Sequence, residues 1–158
     1  MSKNINTDFQ IKFSKSISIS DSFDFTIRGK EKNIQINTCS KITMSDIQSD
    51  VVVIVYGSLF DIVFNDIIDS YKENKLNNYL SRLVGSFVLF IFDKTRDKFI
   101  VISDRRSSQT LFINEENDTI HFTNNIFLFK DKKLSINEAS LGFYFSNGYL
   151  LEQSTIFN

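Results

Sequence analysis

The sequence predicts a layered α+β fold of antiparallel strands with helices outside them, and three patterns carry that prediction. Residues 87–92 are apolar at every position, so a strand there has two apolar faces and needs cover on both. Short stretches that alternate apolar and polar residues come before it. A segment with helical spacing of apolar residues separates those stretches from the later strands. Strands, then helices, then more strands fit a core of two sheets.

Taken in order, residues 9–13 (FQIKF) and 16–20 alternate and read as half-buried strands. Residues 23–27 and 33–36 repeat the pattern on either side of Gly29-Lys-Glu-Lys32, which reads as a hairpin. Residues 37–50 are polar and predict irregular chain. Val51-Val-Val-Ile-Val55 predicts a fully buried strand ending at Tyr56-Gly57. Between residues 60 and 83, Ile62, Val63, Ile67, Ile68 and Tyr71, then Leu76, Tyr79, Leu80 and Leu83, suit one or two amphipathic helices, with residues 74–78 able to break them. The central strand, residues 86–92, should present Val88, Phe90 and Phe92 to one side and Phe87, Leu89 and Ile91 to the other. Residues 93–97 form a polar turn into a second such strand at 98–103, giving an antiparallel hairpin. Strands at 110–114 and 119–123 follow, joined by the turn-forming Glu115-Glu-Asn-Asp118. Residues 125–130 predict a single helical turn. Ser135-Ile-Asn-Glu138 resembles a capping box that opens a helix over 135–145.

Composition excludes several function classes. At 158 residues the chain can bury its own core, and 18 basic against 19 acidic side chains leave a net charge of −1. No global field favours nucleic acid or an anionic membrane, and the Lys130-Asp-Lys-Lys133 cluster reads as a solvated turn. No apolar run approaches a membrane span, and the polar start lacks the apolar core of a secretory signal, so the expected address is cytoplasmic. A single cysteine excludes an internal disulfide and a multi-cysteine zinc site; no metal and no cofactor are expected.

The words of the second half add a resemblance. The order GSFVLFIFD, ISDRR, TLFI and IHFTNN resembles the second half of the glutaminase domain of asparagine synthetase-like proteins. That family carries a G-x-F-A-F strand ending in Asp, an R-D-R-x-G-x-x-P-L-Y-Y segment, and a short strand running into S-E. Gly85, Phe87, Asp93, Asp104, Arg105, Leu111 and Phe122 stand where the pattern wants them. Residues 140–157 (SLGFYFSNGYLLEQSTIF) look like the words leading into the family's ATP-using synthetase domain. The resemblance implies a four-layer α/β/β/α sandwich of two antiparallel sheets, the Ntn-hydrolase type of class II glutamine amidotransferases. Residues 1–134 would be a degenerate glutaminase-like domain, and residues 135–158 a C-terminal helix and tail resembling the start of the synthetase domain.

The catalytic parts that the resemblance calls for are missing or altered. The family uses an N-terminal cysteine whose own α-amine is the base. Here trimming of Met1 exposes Ser2, a weaker nucleophile with no glycine after it. Cys39 would need cleavage after Thr38 and leaves too few residues before Gly85 for the family's strands; an inert thiol is the plainer reading. The family's oxyanion hole, an Asn side chain and a Gly N–H in an N-G-E-I-Y-N word, aligns with Tyr56-Gly57-Ser58-Leu59-Phe60-Asp61. Tyr56 replaces the Asn, and packing is its plainer role. The family's D-T-E word, which holds the glutamine α-amine, falls on Val63-Phe64-Asn65, with Asp66 out of register. Asp104 and Arg105 read as an ion pair closing a strand end, with Arg106 solvated, and Gly85 and Asp93 as structural motif positions. The lone His121, between Ile120 and Phe122 on a strand, faces water or the sheet interface rather than a nucleophile.

Catalytic residues are therefore none, with Ser2 and Cys39 as the only remote candidates. The expected function is an inactive glutaminase-like scaffold for an ATP-dependent amide-forming domain or subunit, as in lasso-peptide cyclase-like or β-lactam synthetase-like enzymes. The partner would be a protein, with no nucleic acid and no membrane, and a homodimer is compatible with the sequence. The chain has no S-G-G-x-D-S loop and is not expected to bind ATP alone. Two rival readings are an active amidotransferase or amidohydrolase using Ser2, and a non-enzymatic module that binds proteins or assembles through strand edges.

Overall fold

The computed structural model describes residues 8–15, 23–39, 41–129 and 135–147. The chain falls into two units, Met1–Ile126 and Phe127–Asn158, each described by itself.

The first unit holds two antiparallel sheets. One has five strands in the order β2-β3-β1-β9-β8: β1 (Gln10–Ser14), β2 (Phe25–Arg28), β3 (Asn33–Asn37), β8 (Phe112–Glu116) and β9 (Thr119–Thr123). The other has four in the order β4-β5-β6-β7: β4 (Ile42–Met44), β5 (Val51–Leu59), β6 (Gly85–Asp93) and β7 (Lys98–Ser103). Helices α1 (Phe64–Lys72) and α2 (Leu76–Leu80) connect β5 to β6. Among the described residues no helix is long and apolar enough to cross a membrane.

The sheets pack face to face. Phe9, Ile11, Phe13, Ile34, Ile36 and Phe122 from the five-stranded sheet meet Val52, Ile54, Tyr56, Val88, Phe90 and Phe92 from the other. Aromatic rings fill this layer: Phe90 lies 6.0 Å from Phe9, 5.9 Å from Phe99 and 5.7 Å from Phe122, centroid to centroid. The opposite face of β5 and β6 (Val51, Val53, Val55, Phe87, Leu89 and Ile91) takes Ile67, Ile68 and Tyr71 of α1. The division of β6 between its two faces is the one its sequence predicts. The outer face of the five-stranded sheet is mostly polar, carrying Gln10, Lys12, Asn33, Gln35, Asn37, Asn114 and His121 together with Phe112.

Several elements differ from the sequence reading. Residues 42–44, expected to be irregular, form β4 because Ile42 and Met44 pack against the inter-sheet core while pairing with Tyr56 and Ile54. β5 continues past Tyr56-Gly57 to Leu59, since Gly57 absorbs a φ of 104° inside the ladder with β6. β8 takes in Glu115 and Glu116, leaving a two-residue turn at Asn117-Asp118, where Asn117 has a φ of 46°. These strands belong to the first sheet, so the two hairpins after the helices lie in different sheets. In the second unit α3 spans Glu138–Asn147. Its cap is Asn137, whose Oδ1 accepts the Ser140 N–H at 3.0 Å, instead of Ser135. Residues 16–20 and 130–133, expected as a strand and a solvated turn, lie outside the described residues.

One end of the sandwich is fastened turn to turn. Asp97, in the β6–β7 turn, accepts the N–H groups of Glu31 and Lys32 from the β2–β3 turn at 2.8 and 3.0 Å. Lys30 N–H reaches Lys94 O at 3.1 Å. A Cβ on Gly29 would stand 2.5 Å from Asp97 Oδ1, 2.6 Å from Lys32 O and 2.7 Å from the Phe92 ring. Urea denaturation should therefore find Gly29→Ala less stable by about 1–3 kcal/mol. Phe90→Ala, which empties the centre of the aromatic layer, should cost about 3–5 kcal/mol by the same measurement.

Candidate functional site

The position that the resemblance assigns to catalysis lies at the other end of the sandwich, where β1 begins beside Tyr56 of β5. Two buried rings occupy it. Phe9 is 0% and Tyr56 is 4% exposed, with centroids 4.4 Å apart. Asn124, just past β9, joins them: its Oδ1 accepts the Phe9 N–H at 2.8 Å and its Nδ2 donates to the Tyr56 hydroxyl at 3.0 Å. Thr123 Oγ1 donates to Phe9 O at 2.7 Å, and Asn125 Nδ2 to the Asp8 carboxylate at 2.8 Å. Burial raises the Tyr56 pKa; the Asn124 hydrogen bond pulls it down less strongly, and Cys39 and Asp8 add small upward pushes. The phenol stays neutral at any physiological pH.

Gly57 does not offer its N–H to a ligand. That N–H donates to Lys41 O at 2.9 Å, where β4 runs alongside β5. The glycine is required for backbone reasons: its φ is 104°, and a Cβ there would overlap Ser86 O of the opposing strand. Gly85 answers it from β6, where a Cβ would overlap Ser58 O. The two glycines let β5 and β6 pair closely at this end, Gly57 opposite Phe87 and Leu59 opposite Gly85.

The remaining candidates are dispersed. Cys39 is a half-buried free thiol packed against the inter-sheet core. Its carbonyl accepts the Ile42 N–H at 3.0 Å, and Thr38 before it is held by Asp24 through N–H and hydroxyl at 2.7 and 2.8 Å. Ser2 lies outside the described residues. His121 is half-buried on the polar face, opposite Lys12 and Asn114. Val63 caps α1 with its backbone, and Phe64 and Asn65 open the helix, so no acidic pair stands where D-T-E would be. Among the described residues no group of three or more His, Cys, Asp or Glu side chains could hold a metal ion.

Asp93 and Asp104 each tie off a strand end. Asp93 Oδ1 accepts Thr95 N–H, Thr95 Oγ1 and Arg96 N–H at 3.0, 2.7 and 3.0 Å; its Oδ2 accepts the Tyr71 hydroxyl at 3.0 Å. Asp104 makes no ion pair with Arg105, contrary to the sequence reading. Its carboxylate turns inward to Ser108 Oγ at 2.6 Å and to the N–H groups of Arg106, Phe87 and Ser108 at 2.9, 3.1 and 3.2 Å. Four donors on the same chain satisfy it without desolvating a guanidinium. Around it, Ser108 Oγ also meets Ser86 Oγ at 2.9 Å, and Gln109 Nε2 donates to Ser86 Oγ at 2.6 Å.

This network borders a cleft of about 670 Å³ between α2 and the adjoining ends of β6 and β7. Leu80, Leu83, Phe87 and Ile102 form its apolar wall, and Arg105 and Arg106 also line it. Sequence reading missed the roles of Asn124, Asp97 and Ser108. The doublet Asn124-Asn125 directly after a strand is the one local signal that a side-chain cap was present. Compared with known proteins, the chain matches no protein-family model and no curated protein.

Both aspartates titrate below the ordinary carboxylate range. For Asp104 the Ser108 hydroxyl is the main cause, helped by the three N–H groups against opposing burial. For Asp93 burial is the largest influence and pushes upward, but the donors from Thr95, Arg96 and Tyr71 together outweigh it. Folded-state values below about 3.9, the unfolded value, mean that this stabilisation is complete above about pH 4. It disappears as pH falls through the folded-state values. Urea midpoints between pH 7 and pH 2 should therefore drop in acid, and drop less below pH 4 in Asp93→Asn/Asp104→Asn; an unchanged acid limb would refute the assignment.

Proposed function

We propose that the chain is a catalytically inert glutaminase-like domain related to the N-terminal domain of asparagine synthetase-like proteins. It serves as a scaffold for an ATP-dependent amide-forming domain or subunit, as in lasso-peptide cyclase-like or β-lactam synthetase-like enzymes. The observation that carries the proposal is the engaged Gly57 N–H. An oxyanion hole needs a free donor aimed at the developing charge, and this donor already bonds Lys41 O at 2.9 Å. Tyr56, in place of the second donor, is buried against Phe9 with its hydroxyl bonded to Asn124.

The proposed fold is the four-layer α/β/β/α sandwich. Two face-to-face sheets with α1 and α2 outside one of them support it. On this reading Gly85, Asp93 and Asp104 hold the strand ends that remain from the glutaminase ancestor, and Arg105 has no catalytic part. The expected address is the cytoplasm, where ATP and a synthetase partner would be found.

An ammonia assay with glutamine tests the proposal. The chain should release none above the buffer rate, and Ser2→Ala should change nothing. Steady ammonia release abolished by Ser2→Ala would overturn the inert reading in favour of a working N-terminal nucleophile. Calorimetry should also find no ATP binding by the isolated chain.

A further inference from the structure

We propose that the cleft between α2 and the ends of β6 and β7 is a binding site for a small carboxylate bearing an apolar chain. The inference is independent of the scaffold reading. Its volume, about 670 Å³, suits a small-molecule ligand, and its wall of Leu80, Leu83, Phe87 and Ile102 suits an apolar body.

The charge comes from Arg105 and Arg106. Both are exposed and line the cleft, and among the described residues neither guanidinium has a hydrogen-bond or ion-pair partner. The one carboxylate among the lining residues, Asp104, is turned into the turn that follows it. Its Oδ1 takes Arg106 N–H and its Oδ2 takes Phe87 N–H and Ser108 Oγ, so it does not neutralise the pair. Two uncompensated guanidiniums beside an apolar wall select an anion with a hydrophobic tail.

The turn itself offers no backbone cradle for a phosphate. A phosphate site of the backbone type needs several free N–H groups converging on the anion. Here the N–H groups of Arg106, Ser107 and Ser108 are all spent on Asp104, and the Ser86 and Ser108 hydroxyls are bonded to one another. What remains is the planar fork of each arginine, which can take a carboxylate two bonds at a time without such a cradle.

Titration of the ¹⁵N-labelled chain with octanoate tests the proposal, with octan-1-ol, acetate and inorganic phosphate as comparison probes. Octanoate should give saturable shifts in the amides of Gly85, Ser86, Phe87, Ile102 and Arg105. Each comparison probe should bind at least about tenfold more weakly, since each lacks one of the two features. Arg105→Gln/Arg106→Gln should weaken octanoate by about tenfold or more at an unchanged urea midpoint. Val84→Asp, an exposed change on the same wall, should weaken it too. Octan-1-ol or phosphate binding as well as octanoate, full affinity in the arginine variant, or no saturable shift at all would overturn the assignment.

Discussion

The fold depends on a single layer of aromatic rings clasped between two sheets. Phe90 and Phe92 of β6 point into it from one side, Phe9 and Phe13 from the other, and Phe99 and Phe122 close its flank. Edge-to-face and stacked pairs of this kind add about 0.5–1.5 kcal/mol each beyond the area they bury. Because β6 is apolar on its other face as well, it also anchors α1, through Leu89 and Ile91 against Ile67 and Ile68. One strand thereby holds the five-stranded sheet and the helical layer in place.

The two ends of the sandwich are closed by side chains that accept or donate to backbone. At one end Asp97 collects two N–H groups of the β2–β3 turn, and Asp93 collects the donors of its own turn together with Tyr71. At the other, Asn124 and Thr123 bind the start of β1 to β9 and to Tyr56. Such networks are stabilising when every member is satisfied, and they fix one arrangement of the chain. The same completeness bears on chemistry. A donor already committed to a carbonyl cannot meet a tetrahedral intermediate without breaking its present bond, so the Gly57 N–H is a structural group in this arrangement, while Tyr56 is held by its packing on Phe9 and by the bond its hydroxyl accepts from Asn124.

The cleft by α2 is built differently. There the N–H groups of the turn are consumed by Asp104, yet the two arginines beside it line the same cleft as an apolar wall. Exposed arginines ordinarily need no explanation, because water solvates them well. Two of them lining a cleft with an apolar wall, where the one carboxylate among the lining residues is already saturated, form a local imbalance of charge that a ligand can answer.

How far each part was legible depends on the range of the forces that set it. Alternation and helical spacing are local, so β6 with its two faces, the β6–β7 and β2–β3 hairpins, and a helical segment between β5 and β6 were readable from the sequence, although the break expected at residues 74–78 falls earlier, with α2 starting at Leu76. β4 was not, because its three residues are ordered by pairing with β5 and by contact with a core made elsewhere. The resemblance marked Gly57, Gly85, Asp93 and Asp104 as motif positions, while their partners came only from the tertiary structure. Gly57 is opposed by Ser86 O, and Asp104 turns to Ser108 instead of Arg105. The sequence by itself determined the α+β class and the two-faced central strand, since a chain cannot leave six consecutive apolar residues in water. Only the tertiary structure decided which hairpin joined which sheet, that Phe9 would fill the space beside Tyr56, and that α2 and β7 would frame a cleft. Those outcomes turn on contacts between segments far apart in the chain, which no local pattern encodes.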